Sequence, residues 1–169
     1  MPKNIFTLSC LLTSICLCSV LAAPKQHKKA ANFQFQYVAP GKEITDLLHN
    51  APKMSFRYLR SVSELPLEVL RACTNYKMAE PGGKWESTDN IMDASLPRQR
   101  LVWAVNFRDY YVVHYENGGI GYNCSIVFLE YHKSSGVKVL MTALTWEPVQ
   151  DYPRFLLRLD EKTLIDVHA

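Results

Sequence analysis

The clearest pattern along this chain lies in its second half. Four runs rich in Val, Ile, Tyr, Phe, Thr and Trp follow one another at residues 100–107 (RLVWAVNF), 110–116 (YYVVHYE), 122–132 (YNCSIVFLEYH) and 137–145 (VKVLMTALT). β-Branched and aromatic side chains suit a pleated, partly buried surface, and short turn signals separate the runs. Links this short force antiparallel neighbours, because a parallel crossover needs a far longer connection. The pattern predicts an antiparallel β-meander of about four strands.

Upstream the apolar spacing becomes helical. Ile44, Leu47 and Leu48 recur at that spacing in residues 41–50, and Asn50 before Ala51-Pro52 supplies a stop. A second helix is predicted over residues 63–73, with Ser63 as N-cap and Pro66 in the first turn, where a missing N–H costs little. Leu65, Val69 and Leu70, with Ala72 or Cys73, form its apolar stripe. Helices this short need a surface to pack on. Residues 80–99 are punctuated by Glu80-Pro81-Gly82-Gly83-Lys84, Thr88-Asp89-Asn90 and Ser95-Leu96-Pro97, and read as a long loop of the kind that carries a site. Residues 151–169 admit two readings. Asp151 and Pro153 can open a helix carrying Phe155, Leu156 and Leu159, whereas alternation of Phe155, Leu157 and Leu159 suits a strand. The helix is preferred.

Alternation within the strands assigns faces. A tight turn on Gly118-Gly119, where positive φ is cheap, pairs Val113 with Cys124 and Tyr111 with Ile126. Tyr111, Val113, Tyr115, Cys124, Ile126 and Phe128 then share an apolar face. His114, Glu116, Asn123 and Ser125 share the opposite, polar one. Leu101, Trp103, Val105 and Phe107 join the apolar side if the turn at Arg108-Asp109 takes three residues rather than two. The expected fold is α+β, the meander covered on one face by the short N-terminal helices. In this register Cys124 and His114 point to opposite sides, which disfavours a thiol–imidazole pair.

Composition sets the class and compartment. The chain has 169 residues, 48% of them hydrophobic and 21% charged, with a formal net charge of +3. That is a globular composition, not a disordered or collagen-like one. Residues 1–22 show a positive Lys3, an apolar run and small residues at Val20 and Ala22, the pattern of a secretory signal peptide. A retained membrane anchor is the competing reading, since the run approaches the length of a span and basic residues follow it. Residues 23–33 read as a basic, flexible leader, and residues 34–169 as one domain. The expected setting is export, periplasmic or secreted, with the compact signal pattern fitting a bacterial host better. No second stretch long enough to span a membrane follows. Cleavage leaves two of the five cysteines, Cys73 and Cys124, either as a disulfide or as two separate buried thiols.

The chemistry is thin. No Walker loop, nucleophile elbow, H-E-x-x-H or C-x-x-C is present. His114-x-Glu116 places an imidazole and a carboxylate on one strand face, about 7 Å apart along the backbone. That pairing suits general acid/base work and supplies part of a metal triad. The competing reading is a polar sheet face in which His114 and Glu116 bond to Asn123 and Ser125. The aromatic supply is high, and an exposed Tyr110 or Trp85 suits protein or sugar contacts. Acidic residues in the 80–97 loop match no calcium-binding spacing. Basic and aromatic residues do not interleave as a nucleic-acid surface requires.

The leading expectation is a non-enzymatic exported domain binding a protein, glycan or small ligand through a sheet face and the 80–97 loop. Its candidate residues are His114, Glu116, Asn123, Ser125, Tyr110 and Trp85. No cofactor is implied. The alternatives are a hydrolase or metal-dependent enzyme centred on His114 and Glu116, and a structural component of the envelope.

Overall fold

A computed structural model describes residues 40–74 and 77–166, all within the compact unit Gln34–Ala169. The signal-peptide and leader segments, residues 1–22 and 23–33, lie outside the described residues. Among the described residues three α-helices, α1 (Lys42–Asn50), α2 (Leu67–Cys73) and α3 (Tyr152–Asp160), accompany seven strands. Three strands are short: β1 (Phe56–Leu59), β2 (Met78–Ala79) and β7 (Ile165–Asp166). The four long ones are β3 (Gln99–Phe107), β4 (Tyr110–Asn117), β5 (Asn123–His132) and β6 (Gly136–Thr145). The fold is α+β, and the long strands form the expected antiparallel meander.

One sheet runs β1-β3-β4-β5-β6-β7 with antiparallel neighbours, while β2 lies parallel to the start of β3. The three short strands carry no legible alternation and were not foreseen. The tail forms α3. Asp151 accepts the Arg154 N–H at 2.9 Å and Pro153 occupies the first turn. The second helix starts later than expected, at Leu67 after Pro66. The segment ahead of it is a separate 3₁₀ turn, Val62–Glu64, in which Ser61 accepts the Ser63 N–H; Ser63 is not the helix cap.

The β4–β5 register corrects the tight-turn expectation. Val113 pairs with Val127, His114 with Ile126, Tyr115 with Ser125 and Glu116 with Cys124. The connection is a five-residue loop, residues 118–122, with positive φ at Gly119 and Gly121. The shift is an odd number of residues, so every β5 side chain changes face. Cys124, Ile126 and Phe128 lie on the His114–Glu116 side; Asn123 and Ser125 lie on the other. The apolar pattern does not exclude this register because both faces are buried, as the almost unbroken burial of β5 shows.

Two apolar clusters follow. Trp103, Val105, Phe107, Val112, Ile126, Phe128, Met141 and Ala143 pack with Leu48 of α1 and Tyr152, Phe155 and Leu159 of α3. On the other side Leu101, Ala104, Val113, Tyr115, Val127 and Leu129 pack with Val69 and Cys73 of α2. The two N-terminal helices therefore contribute to opposite faces of the sheet. The β3–β4 turn takes two residues, Arg108-Asp109, with Arg108 at φ 54°. Trp103, Val105 and Phe107 consequently face away from Val113 and Tyr115. Leu101 joins the α2 side because a bulge between Leu101 and Trp103 inverts the alternation there.

Cys73 and Cys124 are both free and buried, on opposite sides of the sheet, so the disulfide alternative gives way to separate thiols. Burial pushes the Cys73 thiol up to about 12.

The 118–122 loop is fitted against the 80–98 loop at one glycine. A side-chain carbon on Gly118 would stand 2.1 Å from the Glu86 carbonyl oxygen and 2.9 Å from Ser87 Cα. Both are backbone atoms and cannot swing aside. Gly118→Ala is expected to cost about 1–3 kcal/mol, read as a lowered urea midpoint. An unchanged midpoint would show that the two loops do not touch.

Candidate functional site

Successive cross-strand rows grade from apolar to charged toward one end of the sheet. Val105, Val112, Phe128 and Met141 form one row, and Trp103, His114, Ile126 and Ala143 another. The outermost row on this face is Arg100, Glu116, Cys124 and Thr145. Beyond it stand the 80–98 loop, the 118–122 loop and the segment between β6 and α3.

His114 is part of the interior and is fully buried. Its Nε2 accepts the Val149 N–H at 2.9 Å, and Nδ1 lies 2.9 Å from the Ser125 carbonyl oxygen. Only an acceptor at Nε2 and a donor at Nδ1 satisfy both contacts, which assigns the neutral tautomer with the proton on Nδ1. Burial lowers its pKa to about 4, against smaller upward pulls from the Ser125 bond and the Glu116 charge, with Arg158 adding to the fall. With both nitrogens engaged in the fold, His114 offers neither a metal-ligating lone pair nor a free proton-transfer position.

Glu116 shares the His114 face but works with other partners. Its carboxylate accepts from Arg100 Nε at 2.6 Å and from the Tyr122 hydroxyl at 2.8 Å. The carboxylate is almost fully buried, whereas the guanidinium is partly open to solvent. The bond to Glu116 raises the Arg100 pKa. Trp85 stacks on this pair, 4.9 Å from its ring centroid to the Arg100 guanidinium carbon, and its ring lies 6.2 Å from that of Tyr122. The Cys124 thiol donates to the Tyr122 hydroxyl at 3.6 Å. Burial raises both the Cys124 and Tyr122 pKa values, which keeps the thiol protonated at neutral pH. The thiol and His114 share a face, contrary to expectation, but the Val149 N–H already occupies Nε2.

The structure separates the remaining candidates. Asn123 and Ser125 belong to a network on the opposite face, where Asn117 Nδ2 donates to Asn123 Oδ1 at 2.9 Å and to Ser125 Oγ at 2.8 Å. Gln99 Nε2 donates to Asn117 Oδ1 at 2.7 Å, and the Thr74 hydroxyl donates to Gln99. Tyr110 lies at the far end of the sheet, stacked with Phe107 and close to Phe128, and is half-buried. Of the residues singled out from the sequence, Glu116 and Trp85 meet around Arg100, and Asn123 and Ser125 meet around Asn117 on the other face.

Arg98, Gln99, Arg100, Asn117, Gly118, Ile120 and Tyr122 were missed. Arg98, Gln99, Asn117, Gly118 and Ile120 line a cavity of about 360 Å³ at this end of the sheet. Arg98 Nε is buried with no hydrogen-bond partner. Proximity of its strand start to the glycine-rich 118–121 stretch was the available signal, and it needed the correct register to be read. Glu86 organises the adjoining loop, accepting from the Thr88 hydroxyl at 2.6 Å and from the Met92 and Asp93 N–H groups at 3.0 and 3.2 Å. These bonds, led by Thr88, lower its pKa. No group of three or more His, Cys, Asp or Glu side chains suited to a metal occurs among the described residues.

The lowered His114 pKa fixes a pH dependence. As pH falls through 6.5 the unfolded chain takes up a proton that the folded chain refuses until about 4. Stability is therefore full above pH 6.5 and declines toward pH 4, by up to about 3 kcal/mol from this residue. His114→Gln is expected to be less stable at pH 7 and to show a flatter decline in that window, measured by urea unfolding. Equal slopes for wild type and variant would refute the assignment. No family model matches the chain, and no curated protein or solved structure compared with it shows significant similarity.

Proposed function

We propose that this chain is a non-catalytic, exported binding domain that takes its ligand, a protein, glycan or small molecule, at the loop-bearing end of the sheet. The observation carrying this reading is the placement of exposed apolar side chains on loops that are themselves pinned. Ile120 is 91% exposed, Met92 83% and Ile91 55%. Met92 is held through its backbone by Glu86, and the Glu86 carbonyl lies against Gly118, two residues from Ile120. Apolar side chains standing in water on a backbone held in this way suit a recognition surface, because less backbone ordering remains to be done on binding. The cavity beside them falls within the size range of small-ligand sites. Both faces of the sheet are covered by side chains, so the sheet-face half of the expectation is withdrawn and the loop half is kept.

Export rests on the residue 1–22 pattern. The non-catalytic reading rests on the committed nitrogens of His114 and on a buried, protonated Cys124 thiol.

The test is an NMR screen of short peptides, oligosaccharides and small organic acids against the ¹⁵N-labelled protein. Binders are expected to shift amides in residues 85–93 and 116–122. The combined substitution Ile91→Ser, Met92→Ser and Ile120→Ser is expected to remove those shifts and leave the unfolding free energy within about 0.5 kcal/mol of wild type. Binders that instead move residues around α3, or that survive the triple substitution, would overturn the reading.

A further inference from the structure

We infer that the cavity beside Arg98 recognises a carboxylate monoanion carrying an adjacent apolar group. This rests on the loop-end reading and specifies the ligand's chemistry.

Arg98 makes no side-chain hydrogen bond or ion pair among the described residues, and its buried Nε has no partner. The buried Nε is closed to a ligand as it is to water, so an incoming anion meets the terminal Nη groups, which have no partner among the described residues. The other polar side chains lining the cavity are already spent. Gln99 donates to Asn117 and accepts from Thr74, and Asn117 donates to Asn123 and Ser125. Recognition of charge therefore falls to one planar guanidinium. Its neighbour Arg100 is neutralised by Glu116.

Two features select the anion. A guanidinium edge matches the two oxygens of a carboxylate in a forked pair. A single uncompensated positive charge balances a monoanion, whereas a phosphate dianion would remain half-neutralised. The cavity is also lined by Ile120, whose side chain stands in water and gains by covering an apolar group. Gly119 closes the guanidinium side: at φ 104°, a side-chain carbon placed there would lie 2.3 Å from one Arg98 Nη. The guanidinium itself fills the space a Gly119 side chain would take, so glycine is what lets Arg98 lie there.

The experiment titrates the ¹⁵N-labelled full chain with N-acetyl-leucine, N-acetyl-leucinamide and inorganic phosphate, following the Arg98 Nε–H resonance and the Gly118 and Gly119 amides. N-acetyl-leucine is expected to move all three to saturation. The amide and phosphate are expected to bind at least tenfold more weakly. A pentapeptide ending in a free leucine carboxylate separates the sources: a tenfold gain assigns the ligand to a chain terminus, and no gain assigns it to a free organic acid.

Arg98→Met is expected to weaken N-acetyl-leucine at least tenfold. Its unfolding midpoint should stay equal or rise, because the buried donor it removes has no partner to lose. Ile120→Ser should weaken N-acetyl-leucine severalfold and leave acetate unaffected. Equal binding of acid and amide, phosphate binding as tight as the acid, or full affinity in Arg98→Met would overturn the proposal. If N-acetyl-leucine moves nothing while a ligand from the loop-end screen still moves residues 116–122, the carboxylate assignment falls and the loop-end reading stands. If neither moves them, both fall.

Discussion

The backbone of Val149 is held at both its N–H and its C=O by side chains of the sheet. Trp103 Nε1 donates to the Val149 carbonyl at 2.7 Å, and His114 Nε2 accepts the Val149 N–H at 2.9 Å. The second imidazole nitrogen ties the same residue to the Ser125 carbonyl on β5. Each bond contributes on the order of 1 kcal/mol net, but an unmade one strands a buried polar group at a cost of about 1–3 kcal/mol. The segment between β6 and α3 therefore has one low-energy path. Asp151 caps α3 two residues later, so the helix starts at a fixed place and delivers Tyr152, Phe155 and Leu159 to the sheet beside Trp103. The arrangement needs a neutral imidazole, and burial among apolar side chains favours one.

That demand explains where the charges sit. A protonated group in the His114 row would be surrounded by Trp103, Ile126 and Ala143, so ionic chemistry is displaced outward to the Arg100–Glu116 row. There the carboxylate stays buried but accepts two hydrogen bonds, and the guanidinium reaches solvent over the Trp85 ring. A buried ion pair of this kind adds little net stability, but removing one partner would leave the other uncompensated. On this face the ion pair therefore stands at the loop-bearing end of the sheet. The binding role proposed above is sited at that end because helices cover apolar clusters on both faces of the sheet.

The long strands and all three helices are legible. β-Branched runs between turns mark the strands, and helical apolar spacing marks α1 and α2, with the α2 start displaced to Leu67. Asp151 with Pro153 tips the two-way reading of the tail to a helix. The register was not legible. A tight turn on Gly118-Gly119 splits greasy from wet side chains, and that criterion assumes a sheet with one wet face. With α2 on one side and α1 and α3 on the other, β5 is apolar on both, so the residues after the turn fit either alignment. The bulge at Val102 is similarly silent in sequence, yet it moves Leu101 to the opposite cluster. Of the candidate site, Trp85 and Glu116 were recognised by residue type. Arg98 and Arg100 were not, because an Arg-Gln-Arg stretch after a proline looks like any solvated strand start until its cross-strand partners are known.

Those partners also explain why two arginines two residues apart have different fates. Arg100 faces Glu116 across the β3–β4 ladder. One step outward the ladder continues as a single bond, in which the Gly118 N–H donates to the Arg98 carbonyl at 2.8 Å. The residue opposite Arg98 is therefore a glycine, with no side chain to carry a compensating charge. It must be a glycine, because the Glu86 carbonyl occupies the space a side chain would need. The contact that locks the two loops together thus also denies Arg98 a carboxylate from its own chain. Packing of the loops and vacancy of the guanidinium are one constraint seen from two sides, and a residue at position 118 that restored a counter-charge would have to break the loop contact first.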